Sequence, residues 1–147
     1  MKPLTCLMIG LLTALLVGCT APPAPAAPAG GIVVTDAWAR AAATGNSAAY
    51  MTLRNTGPAA DRLIRAESDV ATAVELHQTS MEGGMMKMAP VDGIALPAGE
   101  RVELKPGGLH VMLIGLQREL KAGEKLKLKL YFEQAGAQEI AVEVRKQ

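Results

Sequence analysis

Lys125-Leu126-Lys127-Leu128-Lys129-Leu130-Tyr131-Phe132 is the stretch that decides the fold. Side chains of an extended strand point alternately to opposite faces, so Leu126, Leu128, Leu130 and Phe132 share one side and the lysines and Tyr131 the other. Ile140, Val142 and Val144 alternate in the same way with Ala141, Glu143 and Arg145. Both segments read as strands with one wet face. Working outward, further strands are expected at Ile32–Arg40, Ala48–Asn55, Arg62–Glu67, Ala73–Thr79, Met85–Val91, Arg101–Lys105 and Leu109–Leu116. Turn signals separate them at Asn55-Thr56-Gly57-Pro58, Glu82-Gly83-Gly84, Pro97-Ala98-Gly99, Pro106-Gly107-Gly108, Ala122-Gly123 and Ala135-Gly136. A short helical turn fits near Asp69 to Val74. Many short strands without a helical period indicate an all-β chain, two packed antiparallel sheets with Greek-key connections. Residues 32–147 make one domain, large enough to bury a core without staples.

The segment before this domain has a different character. Residues 1–18 carry one lysine, Lys2, then an apolar stretch from Leu4 to Val17, too short for a lasting membrane span and suited to a secretory signal. Leu16-Val17-Gly18-Cys19 resembles a bacterial lipobox, which implies that Cys19 is lipidated and becomes the first mature residue. Residues 19–31 then form a tether. Thr20 to Gly31 is almost wholly Ala, Pro and Gly, a composition that cannot build a core and that would reach roughly 35 Å if extended. The expected location is the periplasmic face of a bacterial membrane, held by lipid.

Loss of residues 1–18 balances the 14 acidic side chains against an equal number of basic ones. Nothing in that charge invites nucleic acid or other polyanions. Cys6 leaves with the signal and Cys19 is acylated, so the mature domain has neither a free thiol nor a disulfide. No nucleophile stands beside a base, and no carboxylate pair has persuasive spacing, so catalysis is not expected.

What the domain does carry is a soft-metal ligand set. Met81, Met85, Met86 and Met88 fall within eight residues, flanked by the two histidines of the chain, His77 and His110, with Met112 two residues after the second. Polarizable thioether sulfur binds Cu(I) well, and imidazole suits several first-row ions; together they favour reduced copper. Alternation puts Glu75 and His77 on one face of their strand, opposite Val74 and Leu76. His110 and Met112 share a face just after a tight turn, and so do Met86 and Met88. Two strand pairs meeting at one end of a sandwich could therefore converge His77, Met88, His110 and Met112 on one ion. Methionine on a strand more commonly fills a core gap, and Met51 reads that way. Met81, Met85 and Met86 stand between the two readings, as a secondary copper contact or a docking surface.

The spacing of these residues, His-x10-Met-x21-His-x-Met, resembles that of the periplasmic PCu(A)C copper chaperones at every ligand position. Asp36-Ala37-Trp38-Ala39-Arg40, Ala48-Ala49-Tyr50-Met51-Thr52-Leu53-Arg54-Asn55, Glu75-Leu76-His77, Met86-Lys87-Met88 and Leu104-Lys105-Pro106-Gly107-Gly108-Leu109-His110-Val111-Met112-Leu113 carry the same likeness. The resemblance implies a cupredoxin-like β-sandwich that binds one Cu(I) through those four side chains. It also implies delivery to the binuclear CuA centre of a membrane-bound cytochrome c oxidase, or to another copper chaperone. Two features depart from some relatives. Gln78 follows the first histidine where they have a second methionine, and the chain closes at Val144-Arg145-Lys146-Gln147 without a histidine- and methionine-rich tail, so a Cu(II) tail site is not expected. Other classes fit less well. A blue-copper electron carrier needs a cysteine thiolate, and a copper enzyme needs more than two histidines. A copper-storage or scavenging lipoprotein would use the same ligands and differs only in whether the metal moves on.

Overall fold

A computed structural model describes residues 31–146; the signal at 1–18, Cys19 and the tether up to residue 30 lie outside the described residues. The described chain is ten strands and no helix: β1 (Ile32–Arg40), β2 (Ser47–Asn55), β3 (Asp61–Glu67), β4 (Ala71–Glu82), β5 (Met85–Pro90), β6 (Ile94–Leu96), β7 (Arg101–Leu104), β8 (Leu109–Leu116), β9 (Lys125–Phe132) and β10 (Gly136–Arg145). The all-β class expected from alternation is what the chain adopts. Hydrogen bonding joins the strands in the order β5-β4-β8-β2-β1-β10-β9-β3-β6, with β7 alongside β2.

The ladder folds over on itself and encloses one core. Met51, Leu53, Leu76, Val111 and Leu113 come from the β2, β4 and β8 side, and meet Leu63, Leu126, Leu128, Leu130, Phe132, Val142 and Val144 from β3, β9 and β10. The alternation of Lys125–Phe132 appears as expected, with its leucines buried and its lysines exposed. Met51 is core, as read from the sequence. The two layers are not separate sheets, because β1 has two edges and lends one to each. It pairs antiparallel with β2 along its length, and Trp38, Ala39 and Arg40 pair with β10 in the one parallel contact of the ladder.

Three local outcomes depart from the expectations. β4 extends to Glu82, well past Thr79, because β5 keeps pairing with it up to Glu82 opposite Met85. Asp69 and Val70 form a tight turn rather than a helical one, since β4 already begins at Ala71. A short strand, β6, was not foreseen; three residues are too few to show a period, yet Ile94 and Leu96 are buried where it pairs with β3.

One irregularity bears on everything that follows. Thr35 pairs with Thr52 but Trp38 pairs with Tyr50, so β1 carries one extra residue, a β-bulge. Asp36 sits in it at φ 53°, the left-handed region that L side chains other than Asn and Asp seldom enter. Simple alternation would send Trp38 inward with Ile32 and Val34. The extra residue turns it to the opposite face, beside Tyr50. Replacing Asp36 by Val is expected to cost about 1–2 kcal/mol from the left-handed conformation, whereas Asp36→Gly should be close to neutral. Urea unfolding followed by the fluorescence of Trp38 compares the two, and equal midpoints would contradict this account of the bulge.

Candidate metal centre

β4 and β8 are antiparallel neighbours in a register that sets His77 directly opposite His110 and Glu75 opposite Met112. On the other side of β4, Thr79 faces Met88 and His77 faces Pro90 of β5. Paired residues point to the same face, and so do residues two apart on one strand. His77, Met88, His110 and Met112 therefore all lie on one face of β5-β4-β8. It is the face away from the core, since Leu76, Val111 and Leu113 occupy the intervening positions and are buried in the sandwich. The structure thus brings the four sequence-predicted residues onto neighbouring strands of one surface.

An aromatic row continues this surface. The His77 and His110 rings are 5.8 Å apart between centroids, Tyr50 lies 6.3 Å beyond His110, and Trp38 packs on Tyr50 at 4.6 Å. Tyr50 and His110 are both buried, His110 at 3% exposure. The bulge at Asp36 is what makes Trp38 available to this row.

The hydrogen bonds of the two histidines give the surface its chemistry. His110 Nδ1 is 3.0 Å from the Gly108 carbonyl oxygen, so that nitrogen carries the proton and donates. Gly108 is placed to accept by the turn between β7 and β8, in which Gly107 takes φ 78°. His77 Nε2 lies 2.8 Å from Glu75 Oε2 and donates to it; the His77 side chain is 12% exposed and Glu75 about half exposed. In the neutral ring the second nitrogen is then an acceptor with a bare lone pair. Among the described residues, the buried side-chain nitrogen or oxygen atoms with no partner are those two nitrogens, His77 Nδ1 and His110 Nε2. By contrast, buried Asn55 donates from Nδ2 to the carbonyls of Ala59 and Leu96, and buried Ser47 donates to that of Arg40. Leaving a buried acceptor unmade costs about 1–3 kcal/mol, and both of these nitrogens belong to side chains on one face of the sheet. A fixed outer N–H with a bare inner nitrogen is the arrangement metal-binding histidines use.

The remaining donors are sulfur. Met112 is half-buried and Met88 is 52% exposed. Among the described residues no three His, Cys, Asp or Glu side chains gather as they would for a thiolate or hard-ion site. Any ion held here would need the thioethers. Glu75, the Gly108 carbonyl and Tyr50 were missed as parts of this site in the sequence; Glu75 alone left a trace, as the polar residue two positions before His77 on the same face.

Comparison with known proteins gives the following matches. The family model described as "Putative lipoprotein LpqE-like" matches residues 32–144. A protein of Leifsonia xyli subsp. xyli described in the same terms, Lxx21020, is 36% identical over 122 residues, which are 82% of this chain and 74% of that one. The copper-bound PCuAC domain from PmoF2 superposes with a TM-score of 0.69 at 29% identity, over 81% of this chain and 96% of its own. The solution structure of CuI-DR1885 from Deinococcus radiodurans superposes at 0.58 and 35% identity, over 89% and 84%. Solved PCuAC domains are thus among the fold neighbours, the family that the sequence resembles.

The hydrogen bonds fix opposite tautomers: at a pH where both rings are neutral, His110 should be protonated at Nδ1 and His77 at Nε2. Long-range ¹H–¹⁵N correlation spectra read this directly. Glu75→Ala should leave the His110 pattern intact and mix the tautomers of His77; an unchanged His77 would mean that Glu75 does not orient it.

Proposed function

Because the chain belongs to the LpqE-like family, we propose that it is a copper chaperone of the bacterial periplasm, binding one Cu(I) through His77, Met88, His110 and Met112 and passing it to the CuA centre of cytochrome c oxidase. The observation that carries this reading is the pair of buried, unpartnered ring nitrogens on one face with two thioethers. The copper-bound and Cu(I)-bound states named for two of its structural neighbours support the choice of metal.

The donor set suits that cargo. Two neutral imidazoles and two thioethers leave the ion's own charge unneutralised, which favours a monovalent over a divalent ion, and soft sulfur selects Cu(I). A d¹⁰ ion accepts whatever distorted tetrahedron four side chains on a sheet surface can offer. Glu75 serves from outside, holding the His77 ring in orientation and tautomer, in the way a carboxylate commonly supports a ligating histidine.

Exposure sets the order of handover. His110 is buried and held by Gly108, whereas Met88 stands half in solvent on β5. Met88 is therefore the ligand that detaches first. An acceptor thiolate or imidazole takes its place, a mixed-ligand intermediate forms, and copper moves to the acceptor without being released to water or changing oxidation state. Lipidation at Cys19 would keep this exchange near a membrane-bound acceptor, by the effective-concentration gain of any tethered pair.

Competition with a Cu(I) chelator under reducing conditions should show one tight equivalent, with Cu(II) bound much more weakly. His110→Ala combined with Met112→Ala should abolish that equivalent and Met51→Leu should preserve it; similar binding by both variants would misplace the site. In copper-limited cells, Cys19→Ser at matched expression should support less oxidase activity than the anchored form. Equal activity would make the anchor irrelevant to delivery, and unchanged activity after deletion of the whole protein would favour storage.

A further inference from the structure

The β4–β5 hairpin projects beyond the sheet that carries the main site. Pairing of β4 with β8 ends at Gln78, and one further backbone hydrogen bond, Thr79 to Gly108, closes the contact. From Ser80 to Lys87 the hairpin is a two-stranded ribbon turned through Gly83 and Gly84, both at positive φ as a two-residue hairpin turn requires. Its two faces differ. One bears Met81 opposite Met86, with Met88 next along β5; the other bears Met85 and the ion pair of Lys87 with Glu82 at 2.5 Å.

Methionine's usual task is to fill gaps in a core, and these do not. Met81 and Met86 are 66% and 70% exposed. Directly opposed residues have Cβ atoms about 5 Å apart and diagonal neighbours about 7–8 Å. The Met81 and Met86 sulfurs can therefore reach a common ion. Met88, opposite Thr79, is diagonal to Met81 on one side and to His77 on the other.

We propose that Met81 and Met86, with Met88 as the shared ligand, form a second and weaker Cu(I) site at the hairpin tip, from which the ion passes to the main site. This rests on the reading of the main site given above. The tip site has thioethers alone, without imidazole, so it holds the ion less firmly and exchanges it more readily. Transfer is a ligand exchange in which Met88 keeps hold of the ion while His77 replaces the outer methionines. Copper remains Cu(I) throughout, and no proton or electron moves.

The test is an anaerobic Cu(I) titration of the full chain in detergent, following the methionine ε-methyl ¹H–¹³C signals. The first equivalent should shift Met88 and Met112. The second should shift Met81 and Met86, leaving Met85, on the charged face, unmoved. The double variant Met81→Leu, Met86→Leu should keep the first response and lose the second. His110→Ala with Met112→Ala should lose the first and keep the response of the hairpin. Silence of Met81 and Met86 throughout, or shifts of Met85 equal to theirs, would overturn the tip site. Failure of the main-site reading would appear separately, as a first equivalent that leaves Met112 unmoved.

Discussion

Everything on the proposed metal-binding surface depends on the register between β4 and β8, which sets His77 against His110. A slip by one residue would turn one histidine into the core and bring an apolar side chain out in its place. What prevents the slip lies on the opposite face. Leu76, Val111 and Leu113 are buried in the same core as the leucines of β9, and exposing them would cost on the order of 1.5–3 kcal/mol for each side chain. The hydrophobic face thus holds the polar one in alignment. Geometry that looks like a property of two histidines is enforced from the opposite face of the sheet, by side chains that point away from them.

The two histidines each keep one buried ring nitrogen without a hydrogen-bond partner. Gly108 and Glu75 each occupy one ring nitrogen and so prevent the ring from turning to satisfy the other. The rings are prepared in the orientation and tautomer that a soft cation needs. Little rearrangement then accompanies binding at the histidines, and the adaptable part of the surface is left to the methionines, whose three rotatable bonds let sulfur follow the ion.

Much of this was legible in the chain itself, and the rest was hidden for physical reasons. Alternation exposed the strands of Lys125–Phe132 and of Leu109–Leu116, and with them the common face of His110 and Met112, because a period of two is a local property. The joining of the layers through β1 was not legible, since a parallel pairing between Trp38–Arg40 and the far end of the chain leaves no local mark. The direction of Trp38 was hidden too. It depends on a single left-handed residue, Asp36, and alternation read without that residue gives the wrong face. The roles of the Gly108 carbonyl and of Glu75 belong to backbone and side-chain hydrogen bonds that spacing does not encode.

The placement of the four proposed ligands, His77, Met88, His110 and Met112, outside the hydrophobic core cluster separates site from scaffold. In a zinc finger, the metal supplies the folding free energy, and the empty polypeptide collapses into disorder. Here the interior is built entirely from leucine, valine, isoleucine and their neighbours, and no core side chain is a proposed ligand. On the proposed function, loss of the ion would therefore leave the architecture intact, and a carrier built this way would not have to unfold in order to be emptied and refilled.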